Sequence, residues 1–280
     1  MIDVCYTVKF RKGKKFIEDI NCLKKFYYSY KSYKSGAAHK LFILIKGPIA
    51  YESIKKIKKI ISDKVIIIKM PDEGYDLGSF TEFARYRAGT HMFILNQHSI
   101  IRTHNWLKIY RDVLKKTKSK IVVTTTSMDS KADYCSLKLN NSTFFDSHFL
   151  LKIFKKIMSA YYHHKFYKYP NPYIRLNALL IKSSLWLEYF KDINIKTNSQ
   201  FDEIESGKEN FFLFLQKKKE SVPVVRNDGK YVDSHLKWKG FVAFRNSNQK
   251  SKLIISDNQT EFYEKTSAKK KIQLEKYSWR

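Results

Sequence analysis

Short apolar, β-branched runs alternate with amphipathic or Lys-rich segments through the first 126 residues, and this alternation restricts the fold more than any other feature. Ile2–Val8, Leu41–Ile45, Val65–Lys69, Met92–Leu95 and Ile121–Thr126 read as strands. Between them, Lys15–Tyr33, Ser53–Ile61, Phe80–Ala88 and Trp106–Leu114 read as helices. Ile54, Ile57, Ile60 and Ile61 give the second of these a single apolar face. Gly36, Gly47-Pro48 and Gly89 mark the breaks. Strands that lack a polar alternation are buried on both faces. The pattern therefore predicts an α/β fold, a mostly parallel sheet flanked by helices. Ligands of such sheets lie beyond the carboxyl ends of the strands, which directs attention to the loops after Val8, Ile45, Lys69, Leu95 and Thr126.

The remainder is less regular. Ser147–Tyr162 and Lys208–Lys218 read as helices, as does the short Ser183–Phe190. Asn177–Ile181 and Val222–Val225 read as strands, and Asn227-Asp228-Gly229 as a turn. Tyr161, Tyr162, Phe166, Tyr167, Tyr169 and Tyr173 form an aromatic stretch more in keeping with core packing than with sugar stacking. The Lys-rich tail beyond Thr260 reads as a surface helix or a frayed end. No repeat or linker divides the chain, so one domain is expected. The apolar runs are far below the ~20 residues of a membrane span. Cys5, Cys22 and Cys135 make neither a disulfide framework nor a zinc spacing. These features predict a cytoplasmic-type protein.

The 54 Lys+Arg against 26 Asp+Glu give a formal net charge of +28. Such a charge invites nucleic acid as a partner through counterion release. Lysines, however, outnumber arginines about five to one and are scattered over helix faces, as at Lys55, Lys56, Lys58 and Lys59. Base readers and bidentate phosphate clamps favour the planar fork of Arg. A solvated surface, or attraction to an anionic membrane, accounts for the charge better than a nucleic-acid groove does.

Two loops carry the chemistry of the first half. Pro71–Ser79 joins a strand to a helix and holds Asp72, Asp76, Gly74 and Gly78. Its carboxylates suit ribose hydroxyls, and its glycines suit close approach of the backbone to a ligand. Neither GxGxxG nor a P-loop is present. The strand Met92–Leu95 ends in Asn96-Gln97-His98 before Ser99 and Trp106-Leu107. This order of elements resembles the centre of GT-A-type glycosyltransferases. In that family the strand end usually carries Asp-x-Asp, which holds a divalent cation (Mg²⁺ or Mn²⁺) and the donor diphosphate. Here no carboxylate stands in the triplet, which puts the metal in doubt.

The resemblance continues through Tyr169-Pro-Asn171-Pro-Tyr-Ile-Arg175-Leu-Asn177-Ala, similar to the "PNPHIRTNAF" stretch of a bacterial family-2-like glycosyltransferase group. Phe201–Gly207 is similar to its "FESG", Asn227–Tyr231 to its "RDGxxY", and Ser256–Thr260, with Asp257, to its "DNQT". Each motif is weak alone, and their collinear order carries the likeness. The resemblance implies a GT-A-like fold with a nucleotide-sugar half (1–126), an acceptor and catalytic half (127–263) and a basic tail (264–280). It implies donor contacts at Asp72, Gly74, Asp76, Gly78, Asn96, Gln97 and His98. It puts Glu205 where inverting enzymes have their catalytic base, with Asp202 on the same face if the segment is helical. Asn171, Arg175, Asn177, Arg245 and Asp257 fall to the acceptor or diphosphate. Arg175 and Arg245 are two of few arginines and suit the departing diphosphate.

The implied partners are a nucleotide-diphosphate sugar and a glycan or lipid-linked acceptor in bacterial surface polysaccharide (capsule or lipopolysaccharide) synthesis, with an anionic membrane surface nearby. A sugar nucleotidyltransferase is the rival enzyme, but its Gly-rich, basic N-terminal signature is missing after Ile2–Val8. A non-enzymatic polyanion-binding protein is the other alternative.

Overall fold

A computed structural model describes residues 1–48, 51–61, 64–133 and 149–280. Cys135 and the first residues of the expected Ser147–Tyr162 helix lie outside them. The strands are β1 (Ile2–Lys9), β2 (His39–Lys46), β3 (Ile66–Lys69), β4 (His91–Leu95), β5 (Ile100–Ile101), β6 (Ile121–Val123), β7 (Thr126–Ser127), β8 (Tyr173–Ile174), β9 (Leu179–Lys182), β10 (Val224–Val225), β11 (Tyr231–Val232) and β12 (Ile255–Ser256). Eight of them form one sheet in the order β11-β10-β6-β9-β4-β1-β2-β3. β1, β2, β3, β4, β6 and β10 share one direction, and β9 and β11 oppose it. The fold is thus mixed α/β with a mostly parallel sheet, as the alternation predicts.

Central strands are buried on both faces because consecutive side chains feed two separate cores. Cys5, Phe42, Leu44, Met92 and Ile94 enter one. Val4, Tyr6, Ile43, Phe93 and Leu95 enter the other. Helices α1 (Lys14–Ser32), α2 (Tyr51–Ile60) and α4 (Trp106–Thr117) cover the second face through Leu23, Phe26, Ile57, Trp106 and Tyr110. Helix α3 (Tyr75–Tyr86) and the helices Ser183–Phe190 and Phe211–Lys217 cover the first through Phe80, Phe83, Trp186, Phe190, Phe211 and Leu215.

Two small antiparallel sheets fold the second half over the carboxyl edge. β5 pairs with β12, which brings Asp257 next to the turn that follows β4. β7 pairs with β8, which brings Asp129 next to Tyr173 and Arg175 next to Thr125. The stretch read as one strand, Ile121–Thr126, therefore splits: β6 stays in the main sheet and β7 leaves it.

Three expectations need correction. Helix α3 begins at Tyr75 rather than Phe80, so most of the Gly74–Gly78 loop is its first turn. The aromatic stretch from Tyr161, read from the sequence as a loop following the helix Ser147–Tyr162, begins inside a helix, since Phe149–Lys165 runs through its start. The tail is neither frayed nor wholly a surface element. The helix Ala268–Trp279 docks Trp279, 7% exposed, into the first core, and its Nε1 donates to the Phe244 carbonyl at 2.9 Å. Trp279→Ala should therefore lower unfolding free energy by about 3–5 kcal/mol, the usual cost of deleting a buried Trp side chain. Ile272→Ala on the same helix, 67% exposed, should change it by no more than about 0.5 kcal/mol. Denaturant titration of both variants tests this; equal, small effects would return the tail to the surface.

Candidate active site

The polar groups expected to carry the chemistry gather along the carboxyl edge of the sheet. Asn96 follows β4, and its backbone N–H donates to Asn177 Oδ1 at 2.9 Å. Asn96 Oδ1 accepts from His98 N at 3.0 Å and from Ser99 Oγ at 3.2 Å, an Asx turn that closes the strand end. Asn177 precedes β9, receives Ser99 Oγ at 2.9 Å, and donates through Nδ2 to Asp257 Oδ2 at 3.3 Å. Arg175 Nη2 donates to the same oxygen at 2.7 Å. The other oxygen of Asp257 caps the helix Asn258–Lys265, accepting Gln259 N at 3.1 Å and Thr260 N at 3.0 Å. Burial works to raise the pKa of this carboxyl, but the Arg175 guanidinium and the Thr260 N–H hold it below the ordinary value.

Glu205 belongs to the helix Asn198–Ser206, which starts on a capping box between Thr197 and Gln200. Its Oε1 accepts the Leu176 N–H at 3.1 Å, within the same Arg175–Asn177 segment. Burial raises its pKa; the Arg175 charge and the Leu176 N–H pull the other way without cancelling the rise. Asp202, one turn earlier, is paired with Lys131. The helix ends at Ser206, so Glu209, which would share the face of Asp202 and Glu205 on a longer helix, lies beyond it. Asn171 is fully buried and donates to the Ser206 carbonyl at 2.7 Å, tying the helix to its own segment.

Arg245 Nη1 lies 3.2 Å from Asp129 Oδ2, while Asp129 Oδ1 accepts Ser127 Oγ at 2.7 Å and Tyr173 OH at 2.5 Å. The guanidinium carbons of Arg175 and Arg245 both lie over the Phe244 ring, 4.1 Å and 4.8 Å from its centroid. Arg245 also has a left-handed backbone, φ 46°, a strain that buried contacts of this kind hold in place. Burial, then the charges of Asp129 and Glu205, push the Tyr173 phenol well up, so it acts as a donor and not as a base.

The loop after β3 faces a separate pocket of about 690 Å³ lined by Lys9, Lys46, Asp72, Tyr75, Asp76 and Lys196, among others. Lys9 pairs with Asp72 at 2.8 Å. Lys46 is 2% exposed, donates to the Tyr75 carbonyl, and lies 4.0 Å from Asp76 Oδ1. Burial raises the pKa of Asp76 against the charges of Lys46, His98 and Lys9. Gly74 also lines this pocket, and Gly74 and Gly78 have a structural role besides: they touch one another. A Cβ on Gly74, at φ +69°, would meet Gly78 Cα at 2.9 Å, and one on Gly78 would meet the Glu73 carbonyl at 2.4 Å. Gly78 N also donates to Gly74 O at 2.8 Å. The glycines close the first turn of α3.

The strand-end triplet does not fit a divalent cation. The Asn96 oxygen is occupied in its Asx turn. Gln97 Oε1 accepts Lys9 N at 3.0 Å, and its Nε2 donates at 2.7 Å to Asp19, a buried carboxylate clasped by Arg11. Only the exposed His98 ring remains, with Nδ1 3.7 Å from Cys22 Sγ. Among the described residues no group of three or more His, Cys, Asp or Glu is placed to hold a metal. Lys9, Lys46, Asp129 and Lys131 stand beside the expected residues and were not singled out by sequence reasoning, and Tyr173 was read only as part of the aromatic stretch. The two lysines carried one usable signal, each standing directly after the last apolar residue of a strand.

No protein-family model matches the chain, and no curated protein does. Several solved structures are similar in fold. S. aureus TarS 1-349 covers 73% of this chain at 8% identity and a TM-score of 0.41, and the chain spans 53% of its length. Mouse xyloside xylosyltransferase 1 in its apo form covers 80% at 9% identity and a TM-score of 0.42, with 85% of its own length matched. The galactosyltransferase LgtC, in complex with donor and acceptor sugar analogs, covers 73% at 11% identity and a TM-score of 0.36, with 70% of its length matched.

The Asp257 network yields a stability prediction. Asp257→Asn leaves Arg175 as a buried charge without its partner and should cost about 3–5 kcal/mol at neutral pH. The folded-state pKa of Asp257 is depressed, so its contribution is complete above the unfolded value of about 3.9 and is lost as pH falls through the folded pKa. The gap between wild type and variant, read from denaturant midpoints, should therefore close under acid. A gap that is constant with pH would remove the carboxylate's charge from the explanation.

Proposed function

We propose that the chain transfers a sugar from a nucleotide-diphosphate donor to a hydroxyl of a glycan or lipid-linked acceptor. The observation that supports this is Glu205, a partly buried carboxylate of raised proton affinity. It lies on the strand-end edge that also bears the Lys9–Lys46–Asp76 pocket. Glu205 is bonded to the Arg175–Asn177 segment, Asn177 to Asn96 at the end of β4, and the neighbouring Gln97 to the Lys9 N–H. Asp72 and Asp76 suit the donor's ribose hydroxyls. Glu205 removes the proton of the acceptor hydroxyl as its oxygen attacks the anomeric carbon. The bond to the nucleotide diphosphate breaks on the opposite face, and configuration inverts. The Leu176 N–H fixes the direction of the carboxylate, and its raised pKa makes it, once ionised, a stronger base than an ordinary carboxylate.

The acceptor and the setting follow from the collinear resemblance and from charge. A bacterial capsule or lipopolysaccharide pathway is the reading the "PNPHIRTNAF"-like segments favour. A net charge of +28 suits a peripheral position at the cytoplasmic face of an anionic membrane. Among the described residues no helix is long and apolar enough to cross a membrane.

A panel of nucleotide sugars, screened by ligand-observed NMR and then by turnover, tests the reading. Glu205→Gln should keep donor binding and lower kcat by about 10²–10⁴-fold. In the wild type, kcat/KM should fall as pH drops through the Glu205 pKa, with a midpoint above the ordinary value of about 4.3. Near-wild-type turnover of Glu205→Gln would move the base elsewhere. Failure of every nucleotide sugar, together with tight salt-sensitive RNA binding, would favour the polyanion-binding alternative.

A further inference from the structure

Lys9 and Lys46 are the last residues of β1 and β2 and are partners in register, so their side chains leave neighbouring strands at the same level. Both line the pocket that Asp72, Glu73 and Asp76 also line. Among the described residues the hydrogen-bond acceptor of the Lys46 ammonium is the Tyr75 carbonyl, and Asp76 stands at 4.0 Å, beyond hydrogen-bond distance. An ammonium has three N–H donors, so Lys46 keeps capacity for a further acceptor. Burial pushes its pKa down against the charges of Asp76 and Asp72, with a smaller push in the same direction from Lys9. Lys9 is paired with Asp72 at 2.8 Å, an exposed contact that a phosphate can replace, and two ammoniums in one pocket, one of them buried, gain free energy when an anion comes between them. The carboxylates beside them suit hydroxyls and repel phosphate. The pocket thus offers neutral-diol recognition next to anion recognition, the pattern a nucleoside phosphate presents.

We propose that Lys9 and Lys46 hold the phosphates of the nucleotide donor, supplying as two ammoniums the charge that a divalent cation supplies elsewhere, so that donor binding needs no metal. The proposal rests on reading this pocket as the donor site. It explains why the strand-end triplet can have its amides committed internally, Gln97 to Asp19 and Asn96 to its own turn, without leaving the diphosphate unneutralised. It also explains why a lysine is buried at the end of a central strand, where burial alone would disfavour it.

Titration calorimetry with UDP, GDP, CDP, ADP and dTDP, and with the matching nucleosides, tests this in EDTA and again in Mg²⁺. The nucleotide that binds should do so with the same affinity in both buffers. Lys9→Met and Lys46→Met should each weaken the diphosphate by about tenfold or more and leave the nucleoside unchanged. Lys9 is partly exposed, so Lys9→Met remains informative if the buried Lys46→Met fails to fold. Binding that requires Mg²⁺, or variants that bind the diphosphate as the wild type does, would overturn the lysine assignment alone. If no nucleoside diphosphate binds in either buffer, the donor-site reading falls as well.

Discussion

The Asp257 carboxylate is the interaction on which the second half of the molecule depends. It is buried and accepts from Arg175, Asn177, Gln259 and Thr260, joining segments about 80 residues apart in the chain. A buried ion pair adds little net stability over an apolar replacement, because desolvation offsets most of the attraction. What it supplies is geometry. With Asp257 fixed by its helix cap, Arg175 must lie over Phe244, and Asn177 must meet the turn after β4. Arg245, over the same ring, then reaches Asp129 and so Tyr173. The edge is held by a series of contacts in which each charged group has a partner.

The two ends of that edge differ in a way that suits their proposed roles. Around Arg175 the partners are buried and within hydrogen-bond distance, which fixes Glu205 through Leu176. Around Lys46 they are looser: Asp76 stands at 4.0 Å, and Lys9 and Asp72 are each 42% exposed. A group that must deliver a proton transfer gains from rigid support. A group that must exchange an internal partner for a ligand's phosphate gains from a partner that is easily displaced. Tyr75, with φ 52° and its carbonyl on Lys46, lies between the two demands.

The fold was largely legible because the strands are short, apolar and punctuated. Ser183–Phe190 has the expected bounds, and β1 and β2 differ from expectation by no more than two residues at any end. What could not be read was the departure of β7 from the main sheet, since Thr124-Thr125-Thr126 is β-prone along its length and only the pairing with β8 decides where it belongs. Of the site, the carboxylates and arginines stood out because they are scarce, and the structure brings Glu205, Arg175, Asn177 and Asp257 together. The lysines were hidden by abundance. Gln97 was misread for a different reason: an amide at a strand end looks available until the buried Asp19, far away in sequence, is seen to hold it. Gly74 and Gly78 gave a true signal of close approach, but the approaching group is their own helix turn.

The net charge and the site charge act at different ranges, and this separates their roles. Dispersed surface lysines produce a field screened over about 8 Å at physiological ionic strength, enough to bias approach to an anionic surface but not to select a ligand. Lys46 is excluded from water, where screening is weak and a single contact counts for more. On the proposed reading, the surface lysines bear on where the protein sits and Lys46 on what it binds. Abundance of lysine and the proposed phosphate contacts are therefore separate matters: of the many lysines, Lys9 and Lys46 leave adjacent strands at the same level and line one pocket.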